Sequence, residues 1–195
     1  MYDRGDILSL VETSPSLHIR LKRHSDGSAS ITCTRADGSV TWQRQPGQLG
    51  LVFPPHDLTH LAVETVLGYR GAFYGLVADG WDINDFAPPF PRGEIPAEAR
   101  VVELLVGSFD SERRGFSHWT TEEFNAHTAM RASALPPSKA LTPRLLTEAE
   151  LAAVRVERAK LLECWRSLQG GQCLELEFRR GTSVAHTTSS PADAG

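Results

Sequence analysis

Long apolar runs are missing from this chain: nothing in it approaches the roughly 18–20 consecutive apolar residues that a membrane-spanning helix needs. Excess positive charge is missing too. The formal net charge is -4 and the pI is near 6.0, which argues against a nucleic-acid partner, because such domains carry a basic stripe. Cysteine is scarce: Cys33, Cys164 and Cys173 are all there is, too few and too scattered for a disulfide framework. The opening residues, Met1 to Asp6, have mixed charges and no apolar core of the signal-peptide kind. A reducing, cytoplasmic setting with no membrane partner is therefore expected. Several catalytic signatures are also absent: no G-x-S-x-G, no phosphate-cradling glycine loop and no dinucleotide fingerprint.

What the chain does have is enough apolar material for one sizeable core, with 41% hydrophobic and 23% charged residues in 195. Its first third reads as a β-meander. Leu17, Ile19 and Leu21 alternate with His18, Arg20 and Lys22, and Ala29, Ile31 and Cys33 alternate with Ser30, Thr32 and Thr34. Asp26-Gly27 separates these runs, and Asp37-Gly38 leads to a third run around Val40 and Trp42. Asp-Gly between alternating runs is a hairpin turn, since glycine takes a positive φ without steric cost.

Beyond Gly50 the period becomes helical. Pro54-Pro55 predicts a helix start, because proline fits a first turn, and Gly68 predicts its end after Leu67. A second helix is expected over residues 72–78. Trp81 to Phe86 reads as a turn-rich loop. A third helix should begin with Pro96 at its first position and bury Val101, Val102, Leu105 and Phe109. Thr120 with Glu123, and Thr147 with Glu150, form capping boxes that open a fourth helix carrying Phe124, His127 and Met130, and a fifth. The fifth has Leu146 and Leu151 as its hydrophobic staple and a stripe of Val154, Leu161, Leu162 and Trp165. Cys173 to Phe178 alternates again. An isolated strand is unstable, so this one should join the meander beside the first strand, with Glu175 and Glu177 facing Arg20 and Lys22. The expected fold is thus α+β, one domain over residues 1–180, with an antiparallel sheet covered by four to five helices. The polar stretch 181–195 is expected to be a disordered tail.

The chemistry concentrates in His56-Asp57-Leu58-Thr59-His60-Leu61-Ala62-Val63-Glu64. Residues four apart on a helix share a face, with Cβ atoms about 5–6 Å apart, so two imidazoles can share one cation. His56, His60 and Glu64 drift by only about 40° per four-residue step and form a three-ligand set that leaves a position open for water. The five residues from His56 to His60 partly resemble the zincin helix, H-E-x-x-H. The resemblance implies His56 and His60 as metal ligands and Asp57 as the base that activates a bound water. Asp57 is one methylene shorter than the glutamate of that pattern, and the motif follows two prolines directly; nothing else in the chain continues the likeness. Asp79, Asp82, Asp85, His118 and His127 are further candidates for a ligand from elsewhere.

Two functions follow. In one, the protein binds a divalent metal, zinc first, and is hydrolytic, with His56, His60 and Glu64 as ligands and Asp57 and Glu64 as the catalytic carboxylates. In the other it is a non-catalytic α+β module that binds a partner protein or a second copy of itself, with the meander's open edge as the route. In the structural alternative for the motif, His60 and Glu64 are a plain side-chain pair and Asp57 complements the helix dipole.

Overall fold

The two Asp-Gly sites are hairpin turns. In the computed structural model of the protein, which describes residues 16–115 and 117–179, Gly27 and Gly38 sit at φ +81° and +83°. Asp26 and Asp37 each accept the backbone N–H of the serine two residues on, Ser28 at 3.0 Å and Ser39 at 2.9 Å. These turns join β1 (Ser16–Arg23), β2 (Ala29–Thr34) and β3 (Val40–Gln45) into the expected meander.

The last strand, β4 (Cys173–Arg179), pairs antiparallel with β1, giving the sheet order β3-β2-β1-β4. Alternation decides what each face does. Leu17, Ile19, Leu21, Ile31, Cys33 and Phe178 point inward and are buried, while His18 and Arg20 point out. Of the expected cross-strand pairs, Arg20 lies opposite Glu175 and bonds it at 2.8 Å. Glu177 lies opposite His18 and bonds Arg179 at 2.7 Å, and Lys22 lies opposite Cys173. A Glu177–Lys22 pair would need the register shifted by four residues.

Helices α1 (Leu49–Leu67) and α2 (Phe73–Ala78) pack on the inner face, α3 (Ala97–Arg114) and α5 (Glu148–Ser167) pack on α1, and α4 (Thr121–Ser133) packs on α3. The fold class is α+β. Short 3-10 turns lie at Ile83–Phe86 and Pro137–Lys139. Both expected capping boxes are made. Thr120 accepts from the Glu123 N–H while Glu123 accepts from that of Thr120, and Thr147 and Glu150 do the same. Leu146 and Leu151 are both buried at the start of α5.

Two helix starts differ from expectation. Helix α3 begins at Ala97, with Pro96 as its N-cap rather than its first helical residue. Helix α1 begins at Leu49, so Pro54 and Pro55 lie inside it. Its opening is wound tightly, with Leu49, Gly50 and Leu51 bonding to the carbonyls of Pro46, Gly47 and Gln48, three residues back. The prolines forgo two bonds of the usual ladder. Gly50 seats this end on the first hairpin: a Cβ there would lie 2.7 Å from the Gly27 carbonyl and 2.8 Å from the Ala29 nitrogen.

Helix α1 is the hub, packed on α2, α3, α5, β2 and β3. One apolar cluster runs from the inner sheet face through Leu58, Ala62 and Val63 of α1 to Phe109, Phe124 and Trp165. No helix among the described residues is long and apolar enough to cross a membrane. The expected disorder of 181–195 and the character of Met1 to Asp6 lie outside the described residues.

Candidate metal centre

Because α1 packs on both the sheet and α3, the face bearing His56 and His60 looks into the crevice between them. The two rings meet edge to face with centroids 4.8 Å apart. Opposite them, α3 presents Glu103 and Asp110, seven residues apart and hence two turns along one helix face. His56 pairs with Asp110 and His60 with Glu103; rising numbers on α1 meet falling numbers on α3, so the helices run antiparallel here.

Nδ1 of each histidine is held by a carboxylate. His56 Nδ1 lies 2.9 Å from Asp110 Oδ2. His60 Nδ1 lies 3.4 Å from Glu64 Oε1. Metal-binding histidines are usually oriented in this way, with the second nitrogen held by a carboxylate that fixes the tautomer. That leaves Nε2 of each ring for a cation. His60 Nε2 is 3.1 Å from Glu103 Oε1, and one donor atom each from His56, His60 and Glu103 fall within 4.8 Å of one another. Ligands around a four-coordinate zinc lie about 3.4 Å apart, somewhat closer than the widest spacing in this set.

Glu64, read in the sequence as third ligand or base, stands elsewhere. It is fully buried behind His60 and accepts the N–H groups of Tyr74 at 2.9 Å and Gly75 at 3.3 Å. It occupies the position beside His60 Nδ1. Nor do the other candidates converge on the histidines. Asp85 bonds Arg92 and the Asp82 N–H, Asp82 pairs with Arg35, and His127 bonds Ser108. Glu103 supplies the third donor, and sequence reasoning passed over it because a glutamate on an amphipathic helix looks like solvated surface. Asp110 and Glu112, which interrupt the buried run of α3, were the available signal. Both are buried, and buried carboxylates need partners.

The electrostatics follow from this crowding. Burial works against charge on His60, yet the carboxylates of Glu103 and Glu64 lift its pKa well above the usual imidazole value. Glu103 is held well below the usual carboxylate range by His60, against the effect of burial. Burial also opposes the ionisation of Asp110, but its hydrogen bond with His56 wins and lowers it. Asp57 has no such bond; burial raises its carboxyl to about 6, with His56 and His60 pulling the other way. Four carboxylates thus surround two imidazoles, with Arg113 and Arg158 offsetting charge only on the Asp110 side.

His56, Asp57, His60 and Glu103 line a pocket of about 380 Å³ whose other walls are largely apolar, including Ile31, Phe53, Phe73 and Phe86, with Gln43 and Gln45 as polar exceptions. Phe86 and Trp81, on the loop singled out in the sequence, are anchored on the core and stack at 5.3 Å. A pocket of this size and lining suits a small organic molecule. Four titratable side chains, one apolar enclosure and one convergent donor set define a candidate metal-binding site. The chain matches no family, no curated protein sequence and no solved structure, so this geometry is what any functional reading has to rest on.

Proposed function

We propose that the protein binds one divalent cation, zinc first, through His56, His60 and Glu103, and hydrolyses a small substrate held in the adjoining pocket. The observation that carries this reading is the paired orientation of the histidines. Nδ1 of His56 is held by Asp110 and Nδ1 of His60 by Glu64, while His60 Nε2 meets Glu103 at 3.1 Å, and one donor atom from each of His56, His60 and Glu103 lies within 4.8 Å of the others. The cation would act as a Lewis acid and lower the pKa of a bound water. Asp57, beside the histidines and without a bonded partner for its carboxylate among the described residues, would hold the proton that this water gives up and return it to the leaving group. The apolar walls exclude bulk water and strengthen each electrostatic contact. The three thiols are unpaired, in keeping with a reducing cytoplasm.

Elemental analysis of untagged protein tests the reading. The expected result is about one zinc per chain, lost in His60→Ala and weakened about 10- to 100-fold in Glu64→Gln, where the outer-sphere carboxylate is neutralised. No metal as purified and none after reconstitution would overturn it.

One observation favours the second reading. Strand β3 is a sheet edge, and its outward Val40 and Trp42 are 51% and 62% exposed. An apolar edge of this kind suits pairing with a second copy of the chain. Light scattering on wild type and Trp42→Lys tests it: a dimer that becomes monomeric in the variant supports self-association, and a wild-type monomer at all concentrations excludes it.

A further inference from the structure

A second and larger cavity, of about 580 Å³, opens beside the metal-binding crevice and shares Glu103 and Phe86 with it. Its walls are Pro89, Phe90 and Ile95, and its cationic groups are Arg100 from the first turns of α3 and Lys139 from the turn before α5. The Arg100 guanidinium is poorly satisfied. Nε is buried without an acceptor, and the bond from Nη1 to the Lys139 carbonyl spans 3.4 Å. Neither Arg100 nor Lys139 has a carboxylate within ion-pair distance among the described residues. A buried donor without a partner costs free energy, and the guanidinium fork matches a carboxylate. Phe90 adds a second oddity. It is held at φ 54°, in the left-handed region that non-glycine residues avoid, and such strain gathers where ligands are clamped.

We propose that this cavity is the substrate's recognition subsite, and that the substrate is a small monocarboxylic acid with an aryl or alkyl body. Its carboxylate sits on Arg100 and Lys139, its body lies against Phe86 and Phe90, and its scissile bond reaches past Glu103 towards His56 and His60. Glu94, on the exposed rim, and Glu103 share the cavity; two fixed negative charges favour a singly charged head over a dianionic phosphate. The assignment of the far end to a reacting bond rests on the metal reading above, whereas the carboxylate subsite has its own readout.

The test is calorimetric titration with 3-phenylpropanoate and its uncharged amide, on zinc-treated and metal-free protein. The expected result is that the acid binds both forms, that Arg100→Gln weakens it about tenfold or more, and that the amide binds weakly everywhere. Arg100→Lys should recover part of the affinity and Lys139→Gln lose part of it. Lys139 is exposed, so that variant gives an answer even if the arginine variants fold poorly. His60→Ala should keep acid binding while losing metal. Equal affinity for acid and amide, or indifference to both Arg100→Gln and Lys139→Gln, would overturn the subsite. So would loss of acid binding in metal-free protein and His60→Ala together, since the acid would then be a ligand of the ion. A protein that takes up no zinc yet binds the acid through Arg100 would refute the hydrolase and keep the subsite.

Discussion

The outer face of the sheet and the crevice between α1 and α3 both pair acids with bases, but at different depths. Arg20 and Glu175 meet at 2.8 Å with about half of each side chain exposed, and Arg44 and Asp26 meet at 2.7 Å in a similar setting. In the crevice, His60 and Glu64 are almost wholly buried, and so is Asp110 opposite His56. Exposed pairs contribute little, because water screens them and ordering long side chains costs entropy. Buried pairs cost more in desolvation than they return unless every lone pair is answered. A fold that buries the carboxylates of Glu64 and Asp110 and the imidazole of His60, with Glu103 half exposed beside them, is stabilised less there than one filled with leucine. The contrast therefore separates pairs that water screens from pairs that must be answered within the fold.

The strongest way to break that contrast is at Glu64. Glu64→Ala removes the buried carboxylate that holds His60 Nδ1 and accepts the Tyr74 N–H, and should cost about 3–5 kcal/mol in urea denaturation. A loss under about 1 kcal/mol would mean the crevice is as forgiving as the surface.

Asp57 sharpens the comparison from the other side, because here removing charge should help. Its folded pKa of about 6 lies above the ordinary value of 3.8, so the folded state penalises the ionised form. That penalty is absent below about pH 4, grows as pH rises through 6 and is complete above it. In metal-free protein, Asp57→Asn should add about 1–2 kcal/mol near pH 7.5 and almost nothing near pH 4. A variant that is less stable at both pH values contradicts this account of the site.

Comparable in size is the expected effect of Asp110→Asn. The amide keeps the shape but weakens the hold on His56, so zinc affinity should fall about 10- to 100-fold, read by competition with a chromogenic chelator. The least effect belongs to the sheet face: Arg20→Ala should change stability by no more than about 1 kcal/mol, less at high salt. A larger loss there would erase the distinction between the two regions.

The same contrast explains what the sequence made legible. The sheet was readable because alternation and Asp-Gly turns are local, and the capping boxes of α4 and α5 because each needs only four consecutive residues. The start of α1 was misread because Pro54-Pro55 resembles a first turn; the true opening depends on Gly50 resting against the Gly27–Ala29 backbone, a contact between segments far apart in sequence. His56 and His60 were found by their spacing alone. Glu103 and the outer-sphere place of Glu64 were not, because both are set by how α1 crosses α3 and by where the α2 backbone offers its N–H groups.

The position of β4 bears on how the chain comes to be folded. Strand β1 lies inside the sheet, with β2 on one side and β4 on the other, yet these neighbours come from opposite ends of the described chain. A nascent chain still short of Cys173 can close the hairpins and pack α1 on α3, bringing the histidines to Glu103, while one edge of β1 stays open with Leu17, Ile19 and Leu21 beside it. Contacts of such long sequence separation form late. An unpaired apolar edge is also a template for joining other chains. Truncation before β4 should therefore yield a protein that aggregates through β1.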